Sequence, residues 1–144
     1  MSTAAIIDKS TRQPRTTPAV CLALAALVLV AYLQAKDFEF LDFDDNLYVA
    51  QNAYVQAGLT QESIKWSFNF NDKYDTYWHP LTWLSHMLDV ELFGLEAGPH
   101  HLMNVMLHAV NACLLFLILK KTTFAMWSSC LAAAVFAVHP INIE

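Results

Sequence analysis

Cations are few in this sequence. Eight lysines and arginines face thirteen acids along 144 residues, and they form no patch. Binding nucleic acid requires a cluster of cations to neutralise phosphates, so that class of partner is excluded. Glycine is scarcer still, with three residues. No Gly-rich phosphate loop and no nucleophile elbow occurs. The three cysteines, Cys21, Cys113 and Cys130, each fall inside an apolar run. None lies in the long polar loop, so there is no disulfide framework and no CxxC metal motif. They read as small apolar fillers. Internal repeats and low-complexity tracts are also absent.

What the chain has in excess is apolar surface. Hydrophobic residues make up 56 % and charged residues 15 %, with a mean hydropathy of +0.35. The excess is concentrated in three runs, which describes a membrane chain with one large wet loop. Residues 1–17 are a polar tail carrying Lys9, Arg12 and Arg15. Residues 18–35 carry no charge. At roughly 17 to 25 residues per membrane crossing, this run is an uncleaved first transmembrane helix. A signal peptide would have a shorter apolar region and a better cleavage site than Leu33-Gln34-Ala35. Residues 99–119 make the second span, followed by a turn at 120–123 that contains Lys120 and Lys121. Residues 124–141 make the third, in which Ala125, Ser129, Ala132 and Ala133 allow close helix contact. Residues 142–144 begin the next outer loop. Three spans with no finished soluble domain look like the front of a longer protein.

The loop, residues 36–98, holds eleven acids against three lysines, a balance of −8. Thr60 can cap a short helix reaching Phe68, with Ile64 and Phe68 one turn apart. Pro80 opens a second helix that ends at Phe93, with Gly94 as its stop. Leu81, Leu84, Leu88 and Leu92, with Trp83 and Met87, cover much of its circumference. It is expected to lie along the membrane interface. Asn69 to Trp78 reads as an irregular aromatic loop. The expected fold is therefore all-α and membrane-embedded: three transmembrane helices, and a large extracytoplasmic loop with one short and one interfacial amphipathic helix. Basic residues mark the cytoplasmic side. Lys9, Arg12 and Arg15 before the first span, and Lys120 and Lys121 after the second, place the N-terminus inside and the acidic loop outside. On that topology His139 and Glu144 emerge on the same side as the loop.

Candidate chemistry begins with Asp44 and Asp45, inside Phe40-Leu-Asp-Phe-Asp-Asp-Asn-Leu-Tyr48. Aromatic neighbours draw the segment toward a wall, which carboxylates resist unless something pairs with them. One of the pair could take a proton from an attacking hydroxyl. The pair could instead hold a divalent metal, or be no more than a solvated acidic turn. In the second span, His101, Asn104, His108 and Asn111 recur at spacings of 3, 4 and 3, on one helix face. Such a stripe serves a wet cavity or hydrogen bonds between helices. His100 and His101 lie at its outer mouth and are candidate substrate contacts. His79, just before Pro80, either only precedes that helix or donates to an anionic group at its N-terminus.

Four ordered blocks, FLDFDDNLY, WHPLTWLSHMLD, HHLMNVMLHAVNACLLFL and FAVHPINIE, resemble the N-terminal part of the multi-spanning GT-C glycosyltransferases. Among these the chain is most similar to bacterial relatives of the transmembrane, TPR-containing O-mannosyltransferases. The resemblance covers Asp37 to Glu144. It implies a partial GT-C fold in a bacterial inner membrane, and a polyprenyl-phosphate-sugar donor drawn from the lipid phase. The acceptor would be a hydroxyl, on a protein in some members. The family's acidic loop motif matches Asp44 and Asp45, which implies a catalytic role. Its HP-x-x-x-E block matches His139, Pro140 and Glu144, with Asn142 in place of the usual histidine. Further spans and TPR helices are expected downstream. A non-enzymatic alternative is an anchor or transporter-like bundle whose acidic loop binds cations or a partner protein.

Overall fold

The computed structural model describes residues 16–41, 44–69 and 78–140. The tail basic residues, Asp42, the middle of the aromatic loop (70–77) and Glu144 lie outside the described residues. Among the described residues every regular element is helical and there is no strand. The chain divides into two compact units, Leu33–Asn104, and Met1–Tyr32 with Val105–Glu144.

The apolar runs become helices α1 (Thr16–Tyr32), α5 (Ala97–Thr123) and α6 (Met126–Val138). A 3-10 turn, Leu33–Asp37, extends α1, so that Thr16–Asp37 and Ala97–Thr123 are each long and apolar enough to cross a membrane. Helix α6 has 13 residues, about 20 Å at 1.5 Å per residue, against a hydrocarbon core of about 30 Å. Two of the three expected spans therefore have the required length, and the third is short. Pro140 explains its end, because the residue before a proline is pushed out of the helical region. His139 accordingly sits at φ −73°, ψ 121°. Helix α5 runs through Lys120 and Lys121, where a turn was expected. Cations in a last helical turn are favoured by the helix dipole, and the Thr123 hydroxyl donates to the Leu119 carbonyl at 2.7 Å. The link to α6 shrinks to Phe124 and Ala125, with Phe124 at φ 55°.

The core of this unit is Leu24, Phe116 and Ala133, edged by Val20, Cys21, Cys113, Met126, Cys130 and Ala134. The small-residue contact face of α6 is Ser129, Ala133 and Ala137, all buried, whereas Ala132 is exposed. These three recur at i, i+4, which is the spacing that lets backbones approach along one face. The polar stripe divides. His108 is buried and its Nε2 lies 3.0 Å from the Ala137 carbonyl, an α5–α6 hydrogen bond. Asn104 and Asn111 are exposed.

The second unit is built on α4 (Pro80–Phe93). Helices α2 (Ala53–Gln56) and α3 (Gln61–Ser67) and a π turn, Asn46–Ala50, pack against it. Its local signals are plain. The Asn52 side chain accepts from the Tyr54 and Val55 amides to start α2. Thr60 accepts from the Ser63 amide to start α3. Such caps satisfy amides that have no partner inside the helix. The core is Val49, Val55, Trp66, Trp83 and Met87. Trp83 and Met87, one turn apart, form the buried face of α4, while Leu81, Leu88 and Leu92 leave an apolar face exposed. In α3 the buried face is Ser63, Trp66 and Ser67, and Ile64 and Phe68 are exposed. Between α2 and α3, Gly58 has φ 69°, and a Cβ there would meet the Glu91 carboxylate. Gly58→Ala is expected to lower stability by about 1–2 kcal/mol through the left-handed backbone alone. A reduced unfolding midpoint of the full-length protein is the check.

Candidate functional site

Three turns bring the site residues together within Leu33–Asn104. Pro80 fixes the start of α4 and leaves His79 at its N-cap. The His79 ring is half-buried and stacks on Trp83, with centroids 4.8 Å apart, and meets Tyr48 edge-on at 5.7 Å. The ring expected to reach an anion is thus packed into an aromatic wall. A shallow hollow of about 440 Å³ opens beside it, lined by Phe68, Trp78, His79, Pro80, Leu81 and Thr82.

Further along α4, His86 and Asp89 stand one turn apart. Gly94 then ends the helix at φ 66°. This backbone turn leaves the Gly94 carbonyl available to His100, whose Nε2 lies 2.9 Å from it. A carbonyl can only accept, so this nitrogen donates, and Nδ1 is the ring atom left to face Asp89. His100 Nδ1 stands 4.0 Å from Asp89 Oδ2, and both side chains are buried. His86, Asp89 and His100 place their potential ligand atoms within 4.8 Å of one another, the grouping of this kind found among the described residues. His86 Nδ1, Asp89 Oδ1 and His100 Nδ1 are buried without a hydrogen-bond partner there.

Electrostatics set the protonation states. Burial lowers the pKa of His86 to about 4, helped by the nearby His100 and His79 and opposed by Asp45. Its ring is therefore neutral at pH 7. Burial raises the pKa of Asp89, and His100 pulls it back. Both shifts follow from the penalty on a charge removed from water.

The loop segment before the π turn borders the same histidines. Phe40 meets His100 and His101 edge-on at 5.4 and 6.0 Å, and His101 Nε2 lies 3.4 Å from the Glu39 carbonyl. Asp45 is half-buried and its Oδ2 accepts from the Leu41 amide at 2.9 Å, whereas Asp44 is exposed. The two neighbouring acids are therefore unlike: Asp45 is held and acts electrostatically on His86, and Asp44 faces solvent. Of the candidate residues, Asp44, Asp45, His79, His100 and His101 share this unit. His139 belongs to the other unit and is exposed, and Glu144 lies outside the described residues.

Sequence reasoning passed over His86 and Asp89. Their signal was a His-x-x-Asp at i, i+3 inside WLSHMLD, a spacing that puts both side chains on one helical face. The metal-type ligands that gather are therefore His86, Asp89 and His100, and the group includes neither Asp44 nor Asp45.

Comparison with known proteins gives two relatives. The chain is 32 % identical to Protein O-mannosyl-transferase Tmtc2 of Drosophila melanogaster over 136 residues, covering 86 % of this chain. It is 30 % identical to Protein O-mannosyl-transferase Tmtc1 of the same organism over 125 residues, covering 83 % of this chain. The chain spans only 14 % of the length of each relative. No family model matches, and no solved structure matches.

Proposed function

We propose that this chain is part of a GT-C-type glycosyltransferase that moves a sugar from a polyprenyl-phosphate carrier to a hydroxyl acceptor, a protein side chain in the mannosyltransferase-like case. The observation that carries the reading is its similarity to two proteins named as O-mannosyl-transferases over more than four-fifths of its length. The two membrane-length helices agree with a donor that lives in the bilayer.

In this reading the acidic loop faces the extracytoplasmic side of a bacterial inner membrane and the N-terminus is cytoplasmic, as the flanking basic residues favour. Helix α6 makes a third crossing, and later spans and TPR helices follow. The exposed Leu81, Leu88 and Leu92 face of α4 lies at the membrane interface and shapes the groove for the carrier.

Asp45 is the base. The acceptor oxygen attacks the anomeric carbon as its proton passes to the Asp45 carboxylate. The bond from that carbon to the phosphate oxygen breaks, and the electron pair leaves with the lipid phosphate. Configuration inverts. Basic groups elsewhere in the protein stabilise the leaving phosphate. Asp45 fits the role better than Asp44 because a backbone amide holds it, which reduces the reorganisation needed for proton transfer. His100 and His101 contribute to the sugar side of the site. His139 and Glu144 enter through the match of their block.

The test supplies full-length protein in vesicles with labelled polyprenyl-phosphate mannose and a Ser/Thr-rich acceptor peptide. Label is expected on the peptide. Folded protein that neither transfers the sugar nor binds the carrier would overturn the reading, in favour of an anchor.

A further inference from the structure

We infer that His86, Asp89 and His100 form a binding site for one zinc-class divalent cation. The inference does not depend on the transferase reading. It begins with three buried atoms, His86 Nδ1, Asp89 Oδ1 and His100 Nδ1, none of which has a hydrogen-bond partner among the described residues. A buried polar atom without a partner is costly, of order 1–3 kcal/mol each. Three in one cluster point to a shared guest.

The chemistry of the set narrows that guest. Two imidazole nitrogens and one carboxylate oxygen suit zinc and its neighbours better than calcium or magnesium, which prefer all-oxygen cages. The Gly94 carbonyl accepts a hydrogen bond from the His100 Nε2–H at 2.9 Å. This is the outer contact that commonly orients a metal-binding histidine and fixes which nitrogen faces the ion. His100 Nδ1 and Asp89 Oδ2 then face each other at 4.0 Å, too far for a hydrogen bond. Ligands about 2.0–2.1 Å from a tetrahedral zinc stand roughly 3.3 Å apart. The observed spread, up to 4.8 Å, closes onto an ion with movements on the order of 1 Å. Three protein ligands leave a fourth position for water or a substrate oxygen.

The local fold supplies the rigidity such a site needs. His86 and Asp89 lie on α4, the helix that also carries the buried Trp83 and Met87, and His100 stands in the first turn of α5. A short turn through Gly94 joins the two helices, so the ligands come from regular elements on both sides of it.

The experiment uses full-length protein stripped with a chelator and titrated with zinc, then separately with cobalt(II) as a spectroscopic substitute. One equivalent of zinc should bind and raise the unfolding temperature. Cobalt should give the intense visible bands of a four-coordinate centre. Asp89→Asn, His86→Gln and His100→Gln should each weaken zinc binding on the order of 100-fold or more, beyond the 10- to 100-fold typical of outer-shell changes. Glu62→Gln, at an exposed acid in the first turn of α3, should leave binding unchanged. Folded wild-type protein that takes up no zinc would overturn the site. So would three folded variants that bind like the wild type. If the variants fail to fold, the wild-type cobalt spectrum decides, and a weak six-coordinate spectrum counts against the site.

Discussion

Asp45→Asn in the full-length protein is expected to lower sugar transfer by about 10²- to 10⁴-fold, the range of a positioned general base. Asp44→Asn should leave transfer near the wild-type level. The asymmetry is the informative part. The sequence offers two adjacent acids with the same neighbours, and nothing in their order separates them. The structure separates them by position: Asp45 is half-buried and accepts from the Leu41 amide, while Asp44 is exposed. Asparagine keeps that amide contact and removes the proton-accepting charge, so the substitution isolates base function from folding. Transfer rates at saturating and limiting carrier are the measurement. A fall in kcat with KM unchanged marks loss of an interaction made in the transition state. Equal, near-native rates for both variants would remove the proposed base.

The second large effect concerns stability. Trp83→Ala is expected to destabilise the protein by about 3–5 kcal/mol, the usual range for emptying a large buried aromatic site. Trp83 is 1 % exposed. Tyr48 and Trp66 meet it with ring centroids 5.0 Å away, and His79 stacks on it at 4.8 Å. Trp66 in turn stacks on Tyr54 at 4.8 Å and 10°. Removing the indole thus opens a cavity next to three rings and releases His79, the N-cap of α4. Trp83→Phe keeps most of the volume and should lose much less. Chemical unfolding followed by fluorescence of the remaining tryptophans is the check. A loss under about 1 kcal/mol for the alanine variant would mean that the aromatic wall is not the core of this unit.

The helix limits of the second unit were legible because their signals are local. Thr60, Pro80 and Gly94 act through their own side chain, ring or φ angle, and need no distant partner. The faces of α4 were not legible. Apolar residues circle that helix, so periodicity could not say that Trp83 and Met87 turn inward while Leu81, Leu88 and Leu92 turn out. The third apolar run reads as a short span over residues 124–141 that closes at His139-Pro140, and Pro140 and the Phe124 turn limit its helix further, to Met126–Val138. The two lysines after the second run looked like a stop and proved to be its last turn. The histidine site was half visible. His79, His100 and His101 stood out as polar residues in apolar surroundings. His86 and Asp89 did not, because their meaning depends on a residue beyond the Gly94 turn that the chain brings back against them.

The proposed topology puts Leu33–Asn104 on the extracytoplasmic side. Cysteine labelling in intact cells tests it most directly. With Cys21, Cys113 and Cys130 replaced by serine or alanine, Glu62→Cys and Lys121→Cys are introduced one at a time. Both positions are exposed. A membrane-impermeant maleimide should label Glu62→Cys in whole cells and Lys121→Cys only after permeabilisation. The reverse pattern, with Glu62→Cys shielded until the membrane is opened, would put the acids in the cytosol and contradict the account.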